Sequence, residues 1–141
     1  MTQYVFNEPL RYRFPTHVND LVMDRAEAET SEVFIVVLEP GEAPPLHVHD
    51  DTEQIFYIME GRGLLQIGDS PERYAVKSGD VVRIPPHTYH RIFCEGNQRL
   101  RYLCVDCFVG GKPKDEPMWE SHVQEICRLN GWDFDQVKSA P

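Results

Sequence analysis

Turn signals recur so closely along this chain that no long regular element fits between most of them. The segments EPGEAPP, EGRG, GDSPE, KSGD, IPPHT and EGNQ follow one another through residues 39–98, each rich in the glycine, proline, aspartate or asparagine that tight reversals need. Between and around them lie short apolar or alternating runs at 21–25, 31–38, 54–60, 63–67, 73–77, 81–84, 89–93 and 99–108. Runs of that length, rich in Val, Ile, Tyr and Phe, read as strands. Many short strands punctuated in this way predict an all-β sandwich or barrel. A chain of 141 residues is one domain's worth and buries a core without disulfides.

Charge narrows the partners. Fourteen basic against 23 acidic residues leave a formal net charge of −9, a field that repels a phosphate backbone or an anionic lipid surface. No nucleic-acid or membrane partner is expected. The start, MTQYVFNEPLRYRF, carries charges and a proline where a signal peptide needs an apolar run, and VFIVVL at 33–38 is too short to span a bilayer. A soluble cytoplasmic protein is the expectation. Cys104 and Cys107 form a C-x-x-C spacing, but in an alternating strand side chains three apart point to opposite faces. Neither a disulfide nor a shared metal is expected there.

The tail has a different period. In DEPMWESHVQEICRLNGW, Asp115 and Pro117 suit a helix start and Asn130-Gly131 a helix stop. Trp119, Val123, Ile126 and Cys127 fall on one side, which predicts a single amphipathic helix packed on the barrel. His122 lies one step from that stripe and is read as structural or solvated.

Four of the six histidines fall in two clusters, His47/His49 and His87/His90. Two histidines at i and i+2 on an extended segment share a face, so their rings can converge on one ion, with a second strand supplying the remaining ligands. After the first pair come Glu53 and Gln54, side by side. Alternation cannot choose between them: Gln54, Phe56, Ile58 and Glu60 form one face and Glu53, Ile55, Tyr57 and Met59 the other, both largely apolar.

The spacing Gly41-x5-His47-x-His49-x4-Gln54-x6-Gly61 resembles the first conserved motif of the cupin superfamily, and Gly79-x5-Pro85-x4-His90 resembles the second. The resemblance implies a double-stranded β-helix, the cupin jelly-roll barrel, with the tail as one C-terminal α-helix. In those terms residues 1–30 are N-terminal strands or an arm, 31–112 the barrel and 113–141 the helix packed on it, all within one domain. It also implies a divalent transition metal, manganese, nickel, zinc or iron, held by His47, His49, Gln54 and His90, with Gln54 where glutamate is usual. His87 stands where many cupins carry glycine, at the mouth of the site as a substrate contact or without a role. Phe56 shares the Gln54 face as a second contact. Three neutral imidazoles and a neutral amide leave the metal's charge uncompensated, which favours an anionic substrate and Lewis-acid chemistry.

In the last strand Leu100, Tyr102, Cys104, Asp106 and Phe108 share a face. A carboxylate on such a face costs several kcal/mol to bury unless it is paired or protonated. Either Asp106 is solvated on the outside or it works inside. The Asp106-x-Phe108-x3-Lys112 segment is similar to the Asp-x-Phe-x3-Arg segment of KdgF-type cupins, which linearise 4,5-unsaturated uronates. That likeness implies ring opening or isomerisation of a small sugar acid without redox, with Asp106 moving a proton, Lys112 meeting the carboxylate and Phe108 forming a wall. Lysine in place of arginine lacks the planar fork that grips a carboxylate at two points. Two alternatives stand beside it: an iron-dependent dioxygenase, since three histidines and an oxygen ligand suit O₂ chemistry, and a cupin that binds a sugar without turning it over. A homodimer paired through edge strands is the family-level expectation.

Overall fold

A computed structural model describes residues 3–69 and 72–139. Its strands are β1 (Leu10–Arg13), β2 (Val18–Met23), β3 (Ser31–Leu38), β4 (Thr52–Glu60), β5 (Arg62–Ile67), β6 (Arg73–Lys77), β7 (Val81–Ile84), β8 (His90–Cys94) and β9 (Leu100–Phe108). They form two sheets of order β1-β2-β3-β9-β4-β7 and β6-β5-β8, all described pairings antiparallel. Helices α1 (Trp119–Asn130) and α2 (Phe134–Ser139) follow. Among the described residues no helix is long and apolar enough to cross a membrane.

Where the sequence alternates, strand and expectation agree to within a residue or two. The N-terminus is the exception. The expected strand at 21–25 begins earlier, at Val18, and β1 precedes it unannounced. Both are masked by polar residues that pair across the ladder: Arg11 faces Asp20 in register, and its guanidinium grips that carboxylate at 2.8 and 2.9 Å. Helix α1 ends at Gly131, whose φ of 70° takes the left-handed position that stops a helix. Its start is capped from outside, by Asp24 Oδ1 accepting the Trp119 amide at 2.9 Å. The short α2 spans under two turns, too few for periodicity to show. Gly61 is fixed by contact as well as by its φ of 82°: a Cβ there would lie 2.3 Å from the Arg99 carbonyl oxygen.

The register divides the interior along the strands. Leu38, Ile58, Ile84 and Leu100 are packed with at most 1% exposure. Further along the same strands, Phe34, Val36, Gln54, Phe56, Tyr102, Cys104 and Asp106 line a cavity of about 480 Å³, which α1 covers on one side with Trp119, His122 and Ile126. Cys104 points inward and Cys107 lies on the other face of β9, as alternation requires.

Candidate metal centre

His47 and His90 meet as an isolated antiparallel bridge, with His90 N–H donating to the His47 carbonyl at 2.9 Å. That main-chain pairing brings the two sequence clusters together. Ring centroids lie 4.3 Å apart for His47 and His90, 5.1 Å for His47 and His49, and 6.0 Å for His49 and His90. One nitrogen from each of the three lies within 4.8 Å of the others.

The second nitrogens fix the tautomers. His47 Nδ1 lies 2.7 Å from the Pro45 carbonyl and His90 Nδ1 lies 2.9 Å from the Thr88 carbonyl. A carbonyl only accepts, so each Nδ1 carries the hydrogen and each Nε2 keeps its lone pair, the arrangement of metal-bound histidines. Among the described residues, His90 Nε2 is buried and finds no hydrogen-bond partner. Burial pushes the His47 pKa down to about 4 and those of His49 and His90 to about 3, so all three rings are neutral near pH 7.

Glu53 and Gln54 part company. Gln54 is buried and lines the cavity, whereas Glu53 sits on the outer face in an ion pair with Arg83 at 2.8 Å. The Gln54 amide donates from Nε2 to Asp106 Oδ1 at 2.8 Å, which leaves Oε1 buried and unmatched. An acceptor oxygen without a donor, beside an imidazole nitrogen without a donor, is the arrangement a cation satisfies. The donor set therefore fits a divalent transition metal.

Asp106 is 4% exposed and stands in a cross-strand row: Glu32 on β3, Asp106 on β9 and Gln54 on β4 are register partners. Glu32 is fully buried and forms a two-point ion pair with buried Arg25 at 2.7 and 2.9 Å. Burial raises the Glu32 pKa above the ordinary carboxylate range and a hydrogen bond with Asp106 raises it further, against the lowering pull of Arg25.

Other expected site residues lie elsewhere. Lys112 donates from Nζ to the Arg25 and Ala28 carbonyls, at 2.8 and 2.6 Å, and is absent from the cavity wall. It ties the end of the barrel to the loop before β3. Phe108 is buried beneath the Arg25 guanidinium, 5.0 Å from its ring centroid, rather than against the cavity. Asp106 and Phe108 share a strand face, but the row of β9 that holds Phe108 lies beyond the cavity end. His87 is exposed, bonds Asp50 at 3.1 Å and has φ of 63°, a left-handed conformation that glycine adopts without steric cost. Phe56 does line the cavity.

His122, expected to be structural or solvated, is held by a carboxylate and also borders the cavity. It lines the cavity with its ring 6.4 Å from His49, and its Nδ1 lies 2.8 Å from Glu116 Oε1. Arg25 also donates to the Glu116 carbonyl at 3.0 Å, linking the helix start to the buried acid row. Helical period alone could not reveal this, because His122 borders the stripe and the wall it faces comes from distant strands.

The cupin domain family model matches residues 34–106, just over half of the chain, and the chain belongs to the cupin family. It is a metal-binding cupin. Over 68 residues it is 43% identical to an uncharacterised protein of Methanocaldococcus jannaschii, covering 48% of this chain and 53% of that one. Over 80 residues it is 35% identical to acireductone dioxygenase of Saccharomyces cerevisiae, covering 53% and 40%. The chain thus spans about half or less of the length of these curated relatives. Among solved structures, a Klebsiella pneumoniae protein with a double-stranded β-helix domain superposes with a TM-score of 0.62 at 18% identity, covering 70% of this chain and 82% of that one, a likeness of fold alone.

Proposed function

We propose that this cupin is a metal-dependent enzyme that acts on a small, oxygen-rich molecule by proton transfer without redox change. The observation that carries this is the Gln54–Asp106–Glu32 row, which sets two buried carboxyl groups in register with the amide that lines the cavity of three converging imidazoles, Asp106 accepting from that amide at 2.8 Å. His47, His49 and His90 would hold the metal through imidazole nitrogens and Gln54 through Oε1. Bound there, manganese, nickel, zinc or iron supplies a Lewis acid for a substrate oxygen. Asp106 orients Gln54 through the amide hydrogen bond and is the group placed to take up or return a proton. Glu32 and Arg25 hold Asp106 in position, and the covering helix limits water in the cavity.

Such groups suit isomerisation or ring opening of a hydroxy-carbonyl compound. The finer assignment to an unsaturated uronate needs a cation for the substrate carboxylate. Lys112, bonded to two main-chain carbonyls, offers no support for that anchor, so the proposal stops at an oxygen-rich metabolite. A second reading, an iron-dependent dioxygenase, is favoured by the similarity to acireductone dioxygenase and by the three-histidine set.

Elemental analysis of protein purified without affinity nickel, paired with His47→Ala, tests the proposal. Stoichiometric metal lost in the variant, with no oxygen uptake in a hydroxy-carbonyl and unsaturated-uronate screen, is the expected result. Substrate-dependent deuterium incorporation should fall at least about 100-fold in Asp106→Asn. Oxygen consumption dependent on iron would move the assignment to the dioxygenase, and no metal in either protein would leave a binding cupin.

A further inference from the structure

Among the described residues, five histidines line the cavity: the three of the metal centre, His17 and His122. His17 is buried and stacked at 4.7 Å on Phe14. His122 is placed differently. With Trp119 and Ile126 it occupies i, i+3 and i+7 of the α1 face that lines the cavity, and its ring lies 6.4 Å from that of His49, one of the three converging imidazoles. Its side chain is 18% exposed. Nδ1 bonds Glu116, while Nε2 has no hydrogen bond among the described residues and is not one of the buried atoms left unmatched. Nε2 is therefore accessible, and it is the polar atom that His122 offers to the cavity.

Glu116 fixes what that atom can do. Its Oε1 lies 2.8 Å from Nδ1, and this hydrogen bond holds the Glu116 carboxyl below the ordinary carboxylate range. A carboxylate only accepts, so Nδ1 carries the hydrogen and, in the neutral ring, Nε2 presents a lone pair. The helix start does not depend on the pair. Asp24 accepts the Trp119 amide at 2.9 Å, Ser121 Oγ accepts the Met118 amide at 3.0 Å and Arg25 donates to the Glu116 carbonyl at 3.0 Å. A partly exposed pair of this kind adds little to stability.

Other charged residues of the cavity wall have partners of their own: Asp50 with His87, Asp51 with Thr52, Glu125 with Arg128 and Arg91 with Gln66. We infer that His122, turned by Glu116, accepts a hydrogen bond from a hydroxyl of the molecule held at the metal centre, so that the cavity selects compounds carrying a hydroxyl beyond their metal-binding oxygens. A lone pair at Nε2 rewards a hydroxyl and repels a carboxylate or keto oxygen in the same place. This deepens the proposed function and rests on its metal-dependent reading. His122 acts here on specificity, and Glu116 is its positioning residue.

The test uses the full chain, labelled with ¹⁵N at histidine and loaded with zinc. Two pairs of 2-hydroxy acids share a chelating head and differ by one hydroxyl: glycerate against lactate, and 2,4-dihydroxybutanoate against 2-hydroxybutanoate. By calorimetry at least one hydroxylated member should bind about tenfold tighter than its partner, and His122→Phe should abolish that preference at unchanged zinc content. Glu116→Gln should lower it about threefold, because an amide fixes neither tautomer. Equal binding within both pairs, binding of none of the four, or a preference kept in His122→Phe overturns the inference, and a preference unchanged in Glu116→Gln overturns the part given to Glu116. The wild-type spectrum decides without any variant, should one fail to fold. The His122 Nε2 resonance, assigned through its ring-proton correlations, should be that of an unprotonated nitrogen and should move with the preferred acid but not with its partner. A hydrogen on Nε2, or no movement, counts against the inference whatever the affinities. Zinc content separates the two proposals. Full zinc without a preference sinks this one alone, whereas no bound zinc in the wild type removes the metal-dependent enzyme and this inference with it.

Discussion

Two buried polar clusters stand side by side in this barrel and differ in how completely they are matched. At the imidazole cluster, His90 Nε2 and Gln54 Oε1 face the cavity side with no donor or acceptor to meet them. In the adjoining corner, Arg25, Glu32 and Asp106 are as deeply buried, yet Arg25 pairs with Glu32 at 2.7 and 2.9 Å and Asp106 accepts from the Gln54 amide at 2.8 Å. The first cluster is open because something must enter it. The second is closed because its task is to hold Asp106, the group that joins the two through Gln54. Lack of partners marks a binding site, and saturation marks its support.

The largest effect should come from opening the closed cluster. Arg25→Met leaves Glu32 and Asp106 buried without a cation, which should lower the urea unfolding free energy by about 3–5 kcal/mol. A loss below about 1 kcal/mol would mean that the acids are neutralised without Arg25.

A difference in pH response sharpens the contrast further. In metal-stripped protein the cluster histidines have folded pKa values depressed to about 3–4, so the stability of burying them neutral is present above the ordinary value of 6.5 and is lost as pH falls toward those values. Glu32 has the opposite sign. Its folded pKa is raised, so its protonated form contributes fully below the ordinary 4.5, and that contribution is lost as pH rises through the raised value. Each group gives a slope of about 1.4 kcal/mol per pH unit at most. Urea midpoints measured against pH should show both limbs, and Glu32→Gln should flatten the alkaline limb alone; an unchanged alkaline limb would mean that Glu32 is not raised in the fold.

The smallest effect separates Glu53 from Gln54, neighbours on opposite faces of β4. Glu53→Ala breaks an exposed pair with Arg83 and should cost about 1 kcal/mol or less, with metal content unchanged. Gln54→Ala, one residue away, should lose metal by elemental analysis. Retention in Gln54→Ala and loss in Glu53→Ala would invert the assignment of faces.

The strands from β3 onward were legible because alternation and turn residues agree locally, and α1 because Trp119, Val123 and Cys127 repeat at helical spacing. β1 was not, since Arg11 is explained only by Asp20 on the next strand. Within the site, histidine spacing pointed to the cluster that the structure assembles, and Phe56 was placed on its wall. Lys112, Phe108 and His87 looked equivalent to these in sequence, yet each is engaged outside the cavity. That His122 lines the cavity carried no local signal, because the wall it faces comes from distant strands.

Sequence by itself determined the strand pattern, the histidine pairs and the negative field, all properties of residues near one another in the chain or of simple sums over it. Alternation left Gln54 and Glu53 open and motif spacing favoured Gln54, but tertiary structure decided that Gln54 lines the cavity with Glu53 outside, that Glu32, Asp106 and Gln54 form one row, and that the C-terminal helix covers one side of the cavity. Those outcomes depend on inter-strand register and on helix docking. A one-residue slip in either strand would turn every side chain to the opposite face, and nothing in a single strand's sequence states which neighbour it will meet.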